Sequence, residues 1–144
     1  MVVYTRAWIH SPTDQRVGLL LSIPFATPNQ VWLNGAPLGG GGPGGGIREC
    51  DLRSGWNEML VKSMRTPDTW EIGLSLVSLP GKRFEPVTWY AERDQSSPAN
   101  TVSVAGPYGT RPQPGQRPEQ AFAQIFGPAY PPENGEETNW KPLK

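Results

Sequence analysis

The stretch from Val31 to Lys62 reads VWLNGAPLGGGGPGGGIRECDLRSGWNEMLVK, and its two ends carry clear fold signals. Asn34 and Gly35 follow a short apolar run, and both residue types tolerate the positive φ that a two-residue hairpin turn requires. The closing segment GWNEMLVK is a second strand pattern, introduced by the turn SGW. The stretch therefore predicts a β-hairpin and a further strand on the two sides of a glycine-rich connection.

The connection itself, residues 39–46, contains seven glycines and Pro43. A phosphate-binding glycine loop needs a lysine and a serine or threonine directly after it, at the start of a helix. Here the strand pattern IRECDL follows instead, and a dinucleotide fingerprint is excluded because neither side has a βαβ unit. We interpret the run as an insertion that joins two strands of one sandwich, at an entropic cost that grows slowly with length.

The first 80 residues alternate apolar and polar positions between short turns, as in QRVGLLLSI at residues 15–23. Many short strands at regular spacing, without a helical period, indicate an all-β fold, an antiparallel β-sandwich. We expect at least six strands in two packed sheets between residues 2 and 79, and no helix longer than two turns. In the strand VWL, either Val31 and Leu33 or Trp32 should face inward. The expected buried positions include Leu19, Leu21, Leu60, Val61, Leu74 and Leu76.

The charge balance and composition exclude several classes of protein. The 144 residues carry 13 basic and 13 acidic side chains, so the chain lacks the electrostatic footprint of a nucleic-acid or anionic-membrane binder. No run of 18 apolar residues occurs, so we predict no membrane span. The opening MVVYTRAWIH predicts a strand and not a signal peptide. One cysteine excludes an internal disulfide and any multi-cysteine metal site.

Candidate catalytic groups are few. His10 ends the first strand near Ser11 and Asp14, but no GxSxG nucleophile elbow is present, so a solvated histidine is the simpler interpretation. Cys50 lies within a strand pattern without an obvious base, which indicates a small buried residue and not a nucleophile. We therefore predict a protein that is not an enzyme and carries no cofactor. The carboxylates expected on turns or outward strand faces are Asp51, Glu58, Asp68 and Glu71.

The last 40 residues differ in composition from the rest. Eight prolines follow Gly106, and proline lacks the amide donor that a central strand or a long helix needs. We predict a β-sandwich domain over residues 1–104 and an extended, proline-rich C-terminal arm over residues 105–144. The arm's apolar side chains must stay in water or lie on another surface, either the chain's own sandwich or a partner. Truncation at Gly106 should then leave a folded sandwich.

The motifs YTRAWIHSPTDQRVGLLLSI, VWLNG, DLRSGWNEMLVK and TWEIGLSL carry a resemblance over residues 4 to about 79. The chain resembles the jelly-roll sugar-binding domain attached to glycoside hydrolases of the β-galactosidase type, within the galactose-binding-like superfamily. The resemblance implies that Asn34 and Gly35 form a turn, that Trp56 and Asn57 close the end of a jelly-roll sandwich, and that the protein is periplasmic or extracellular. Relatives commonly carry acidic and glycine residues where this chain has PFATPNQ, and the sequence lacks an acidic loop for the calcium ion found in some members.

Aromatic side chains are the remaining functional signal, since the chain has six tryptophans. Trp32, Trp56 and Trp70 lie in structural motifs and are expected in the core or at its ends, whereas the other aromatic residues could contact a partner or stack on a sugar. We therefore expect a non-catalytic interaction module or structural subunit that docks on a protein partner through its sandwich and arm; the alternative is a carbohydrate-binding module. The candidate contact residues are Tyr4, Trp8, Trp89, Tyr90, Phe122, Phe126, Tyr130 and Trp140.

Overall fold

The computed structural model describes residues 2–22, 28–38, 45–64, 72–93, 102–108, 122 and 140–142. The regular elements within these ranges are all strands, as the alternating pattern predicted. They are β1 (Val2–Ser11), β2 (Gln15–Ser22), β3 (Asn29–Leu33), β4 (Ala36–Leu38), β5 (Gly45–Leu52), β6 (Gly55–Met64), β7 (Gly73–Val77), β8 (Thr88–Tyr90), β9 (Ser103–Tyr108) and β10 (Lys141–Pro142).

The strands form two antiparallel sheets. The larger sheet has the order β10-β9-β1-β6-β3-β4, and β8 also pairs with β1, beyond the part of β1 that β9 covers. The smaller sheet has the order β5-β2-β7. Residues 2 to 79 thus supply seven strands to two sheets, which confirms the prediction of at least six.

The main core contains buried residues from both sheets, so the two sheets pack against each other. Leu19 and Leu21 of the smaller sheet and Val61 of the larger one are buried there, as predicted. Leu74 and Leu76 are only partly buried, because their strand β7 lies at the edge of the smaller sheet. The buried members are Ile9, Val17, Leu19, Leu21, Val31, Leu33, Cys50, Leu52, Met59 and Val61.

The predicted hairpin is present between β3 and β4. Leu33 pairs with Ala36, and the two residues between them have positive φ, 51° at Asn34 and 83° at Gly35. The side-chain amide of Asn34 donates to Oδ1 of the buried Asn57 at 3.0 Å. Asn57 also accepts from the Arg53 backbone N–H and donates to the Arg53 carbonyl, at 3.0 and 2.8 Å. Asn57 therefore ties the hairpin tip to the turn before β6.

The larger sheet also buries side chains on the face that does not meet the main core. Val31 and Leu33 enter the main core, while Trp32, on the opposite face of the same strand, is 1% exposed in a second cluster. We call this opposite face, which points away from the smaller sheet, the outer face. Val31 and Leu33 on one face and Trp32 on the other are therefore all buried, so both alternatives predicted for this strand occur. The buried members of the second cluster are Val2, Tyr4, Trp32, Leu60 and Ala105.

The C-terminal region adds strands to the larger sheet. Strand β9 runs across the boundary predicted between residues 104 and 105, so truncation at Gly106 would cut a strand that pairs with β1. The expectation that prolines keep this region out of the sheet is wrong for residues 105–108. The pairing shifts register between the Val2–Tyr108 and Tyr4–Ala105 pairs, which leaves Gly106 and Pro107 in a bulge where proline's missing donor is tolerated.

The glycine run connects the two sheets. Strand β4 belongs to the larger sheet and β5 to the smaller one, and β5 begins at Gly45. A strand and not a helix follows the glycines, so the structural context of a phosphate-binding loop is absent at β5. Residues 39–44, and with them most of the predicted insertion, lie outside the described residues.

Candidate functional site

The outer face of the larger sheet carries most of the candidate contact residues in cross-strand rows. Because successive side chains of a strand point to opposite faces, Tyr4, Arg6, Trp8 and His10 of β1 share this face. Directly paired residues of neighbouring antiparallel strands also share a face. The four rows, each led by its β1 residue, are Tyr4 with Lys62 and Ala105, Arg6 with Leu60 and Ser103, Trp8 with Glu58 and Tyr90, and His10 with Trp56 and Thr88.

Three aromatic side chains from residues 105–144 pack against the first two rows. Phe122 and Trp140 are partly buried against the second cluster, and the ring of Tyr108 lies 6.0 Å from that of Tyr4 in an edge-to-face contact. Tyr4 is 0% exposed as a result, so its ring is not available to a partner or a sugar. This corrects the expectation that Tyr4 belongs to an exposed aromatic surface.

Two cations of the larger sheet contact the rings of Phe122 and Trp140. Lys62 is 0% exposed; its Nζ donates to the Phe122 carbonyl and lies 4.3 Å from the centre of the Phe122 ring. The Arg6 guanidinium carbon lies 4.3 Å from the centre of the Trp140 ring. Cation–π contacts of desolvated groups are stronger than exposed ones. Phe122 and Trp140 therefore serve an intramolecular contact within this chain.

The last two rows remain partly open, and we call their aromatic residues Trp8, His10, Trp56 and Tyr90 the aromatic surface. Three of them are half-buried and His10 is exposed. The Trp56 ring reaches over β1, with its centre 5.1 Å from that of His10 and 4.9 Å from that of Tyr90. The corresponding interplanar angles are 85° and 66°, so the rings meet edge to face and are not coplanar.

The remaining predicted contact residues lie elsewhere. Trp89 pairs with Ile9, not with a residue of the aromatic surface, and packs against the main core. It therefore lies on the opposite face from its neighbour Tyr90, and the predicted Trp89–Tyr90 pair is split between two faces. Phe126 and Tyr130 lie outside the described residues.

Charged side chains border the aromatic surface on the side of Trp8. The guanidinium carbons of Arg6 and Arg93 both lie 5.7 Å from the centre of the Trp8 ring. Arg6 also forms an ion pair with Glu92 at 3.3 Å. Glu92 in turn accepts from the Ser103 hydroxyl at 2.7 Å. The basic groups beside Trp8 are thus partly occupied by contacts within the chain.

Glu58 is the acidic group of the aromatic surface. It pairs with Trp8 across the strands, and it shares its face of β6 with Trp56, two residues before it. Its carboxylate makes no hydrogen bond or ion pair with any residue that the structure describes. Burial raises the pKa of the Glu58 carboxyl above its ordinary value, although the charge of Arg6 acts in the opposite direction. Glu58 is therefore a partly desolvated anion among aromatic rings.

Sequence reasoning missed Trp56 and His10 as members of one surface. The motif around Trp56 predicts a position in the core or at its end, and the position of His10 at a strand end predicts a solvated side chain. The structure brings them together through the pairing of β1 with β6. The sequence signal was that aromatic residues share one face of β1 with Arg6 and one face of β6 with Glu58. Only the register of β1 with β6 shows that the two faces lie on the same side of the sheet.

Of the residues considered for catalysis with His10, Ser11 donates its hydroxyl to the Thr13 carbonyl and Asp14 accepts from the Ser54 backbone N–H, both at 2.7 Å. Cys50 is buried in the main core, and burial raises the pKa of its thiol to about 11, so the thiolate is scarce at neutral pH. Asp51 pairs with Arg16 at 3.0 Å on the smaller sheet, far from the row of Glu58. In the described ranges, no group of three histidine, cysteine or acidic side chains is placed to hold a metal ion. Asp68 and Glu71 lie outside those ranges.

The outward face of the smaller sheet is a second surface of different composition. Ile47 is 57% and Leu20 is 39% exposed, and the two residues pair across β5 and β2. Arg16 forms ion pairs with Glu49 and Asp51 beside them. This surface carries no aromatic residue on its paired strand positions, which makes it a useful reference for substitutions on the larger sheet.

Among the described residues, no helix is long and apolar enough to cross a membrane. No protein-family model matches the chain, and no curated protein and no solved structure is significantly similar to it.

Proposed function

We propose that this protein is a non-catalytic interaction module that binds a protein partner through the aromatic surface. The observation that carries the proposal is the grouping of half-buried Trp8, Trp56 and Tyr90 on one sheet face with Arg6 and Arg93 beside them. Tryptophan, tyrosine and arginine are the residues enriched among those that dominate binding energy in protein interfaces. Paired strands hold these side chains, so little conformational entropy is lost when a partner docks.

In this proposal the arm has an intramolecular role first. Phe122 and Trp140 pack over the part of the outer face that holds Tyr4 and Trp32, while β10 extends the larger sheet beside β9. The aromatic surface stays partly open next to them. The partner then meets a surface bordered by the arm. The two sheets with a shared core and the Asn34–Asn57 contact support the finer proposal of a jelly-roll sandwich of the galactose-binding-like kind.

The proposal is tested by affinity capture from an extract of the source cells, with the wild-type protein and with Trp56→Ala as baits. We expect Trp56→Ala to lose the wild-type partner at least ten-fold by quantitative mass spectrometry, because residues that dominate interfaces cost about 2 kcal/mol or more when truncated. The matched control is Ile47→Ala, an exposed apolar residue on the smaller sheet, which should capture normally. Equal capture by all three baits, with both variants folded, would exclude the aromatic surface.

Carbohydrate binding is the second candidate, because Glu58 offers acceptor oxygens in the same row as Trp8 and Tyr90. Aromatic rings beside a carboxylate are able to recognise the apolar face and the hydroxyls of a sugar. A glycan array probed with the wild-type protein and Trp56→Ala distinguishes this function from the first. Binding to defined glycans that Trp56→Ala abolishes would favour the carbohydrate-binding module.

A further inference from the structure

Glu58 lies in a setting that is unusual for a carboxylate on a sheet surface. It is half-buried, Trp8 is directly opposite it, and Trp56 is its neighbour on the same face of β6. Arg6, the described cation whose charge acts on Glu58, forms its ion pair with Glu92 at 3.3 Å and lies 4.3 Å from the centre of the Trp140 ring. No described residue forms an ion pair or hydrogen bond with the Glu58 carboxylate, and its partial desolvation is costly unless a partner compensates it.

The rings next to Glu58 have a complementary preference. Tryptophan and tyrosine rings attract cations through the negative potential of their faces. Three rings on this outer face already have cations, since Lys62 lies at Phe122, Arg6 lies at Trp140, and Arg6 and Arg93 lie at Trp8. Within the described part of the chain, no cation lies over Trp56 or Tyr90. The carboxylate without a partner and the rings without a cation thus occur side by side.

We infer that the aromatic surface receives a cationic side chain of the partner, an arginine or a lysine, whose charge pairs with Glu58 while its stem contacts Trp56 and Tyr90. This inference rests on the proposed function and specifies its partner. A cation compensates the charge of Glu58, which a neutral sugar hydroxyl does only in part. The rings also meet edge to face, so they do not form the flat platform on which a sugar ring stacks.

The test uses the full chain and small probes, followed by NMR at the indole N–H signals of Trp8 and Trp56. The probes are N-acetyl-arginine amide, its neutral analogue N-acetyl-citrulline amide, and methyl β-galactoside. We expect the arginine probe to shift both indole signals in the millimolar range, and the citrulline probe to bind about five-fold more weakly, as for the loss of one partly exposed ion pair.

Substitutions then assign the effect to the carboxylate. Glu58→Gln keeps the shape of the side chain and should weaken the arginine probe about five-fold, while Glu58→Asp keeps the charge and should retain part of the affinity. The matched control is Glu49→Gln, an exposed acidic residue on the smaller sheet, which should leave the titration unchanged. Backbone amide spectra show that each variant is folded.

Three results would overturn the inference. The arginine probe could leave the indole signals in place, the galactoside could shift them more strongly than the arginine probe, or Glu58→Gln could bind the arginine probe like the wild type. These results can be distinguished from failure of the proposed function. The capture experiment compares the wild type with Trp56→Ala and does not use the small probes.

Discussion

The packing of Phe122 and Trp140 on the larger sheet can be tested by replacing both residues together, in Phe122→Ala/Trp140→Ala. Both rings are partly buried against the second cluster, where Tyr4 and Trp32 are almost completely shielded from water. A fully buried Phe or Trp costs about 3–5 kcal/mol when it is truncated to alanine, and a partly buried one costs correspondingly less. Each ring also has a cation 4.3 Å from its centre, a contact worth about 0.5–2 kcal/mol. We expect the double variant to lose about 3–5 kcal/mol of unfolding free energy.

The measurement is chemical denaturation of the full chain in urea, followed by tryptophan fluorescence and by circular dichroism. The reference variant is Ile47→Ala, whose side chain is 57% exposed on the smaller sheet and should change the unfolding free energy by less than about 0.5 kcal/mol. If the double variant is as stable as Ile47→Ala, Phe122 and Trp140 do not hold the outer face, and the reasoning about the second cluster is wrong. A fall in the double variant alone would show that the arm belongs to the folded unit.

Three further predictions concern single side chains. Asn57→Ala removes the buried amide that joins the hairpin tip to the turn before β6. Calorimetry should show that the unfolding free energy falls by about 2–4 kcal/mol, because several buried groups lose their hydrogen bonds. A fall below about 1 kcal/mol would contradict this role. Thr5→Val replaces a buried hydroxyl that has no hydrogen-bond partner among the described residues. The variant should have a higher denaturation midpoint and an unfolding free energy larger by about 1 kcal/mol. A lower unfolding free energy would indicate that the Thr5 hydroxyl has a partner. The raised pKa of Glu58 means that its carboxyl group holds a proton more tightly in the folded state than in the unfolded state. The contribution of Glu58 to the unfolding free energy therefore falls as the pH rises from the ordinary pKa of 4.5 through the raised pKa. Glu58→Gln should therefore be more stable than the wild type at pH 7 and should lose this advantage at acidic pH; a constant difference between pH 4 and 7 would argue against it.

The strands and turns followed from the sequence because they depend on neighbouring residues. The Asn34-Gly35 pair produced the hairpin through backbone conformations that few other residues adopt. The alternation in β2 placed Leu19 and Leu21 in the core, since period two fixes which side chains share a face. The proline-rich region shows the limit of the same local reasoning. Pro107 is tolerated in a strand because a bulge lies at that point, and the bulge is defined by the pairing of β9 with β1.

The candidate site was determined by the tertiary structure. The sequence identified Trp8 and Tyr90 as aromatic candidates, but the pairing of β1 with β6 and β8 decided that Trp56 and Glu58 lie beside them and that Trp89 lies on the opposite face. Strand register between segments distant in the chain assigns each face, and a shift of one residue would exchange the two faces. Tyr4 became buried because residues of the C-terminal arm cover its row. Local sequence thus determined the strands, whereas long-range pairing and coverage decided which of their aromatic side chains a partner can reach.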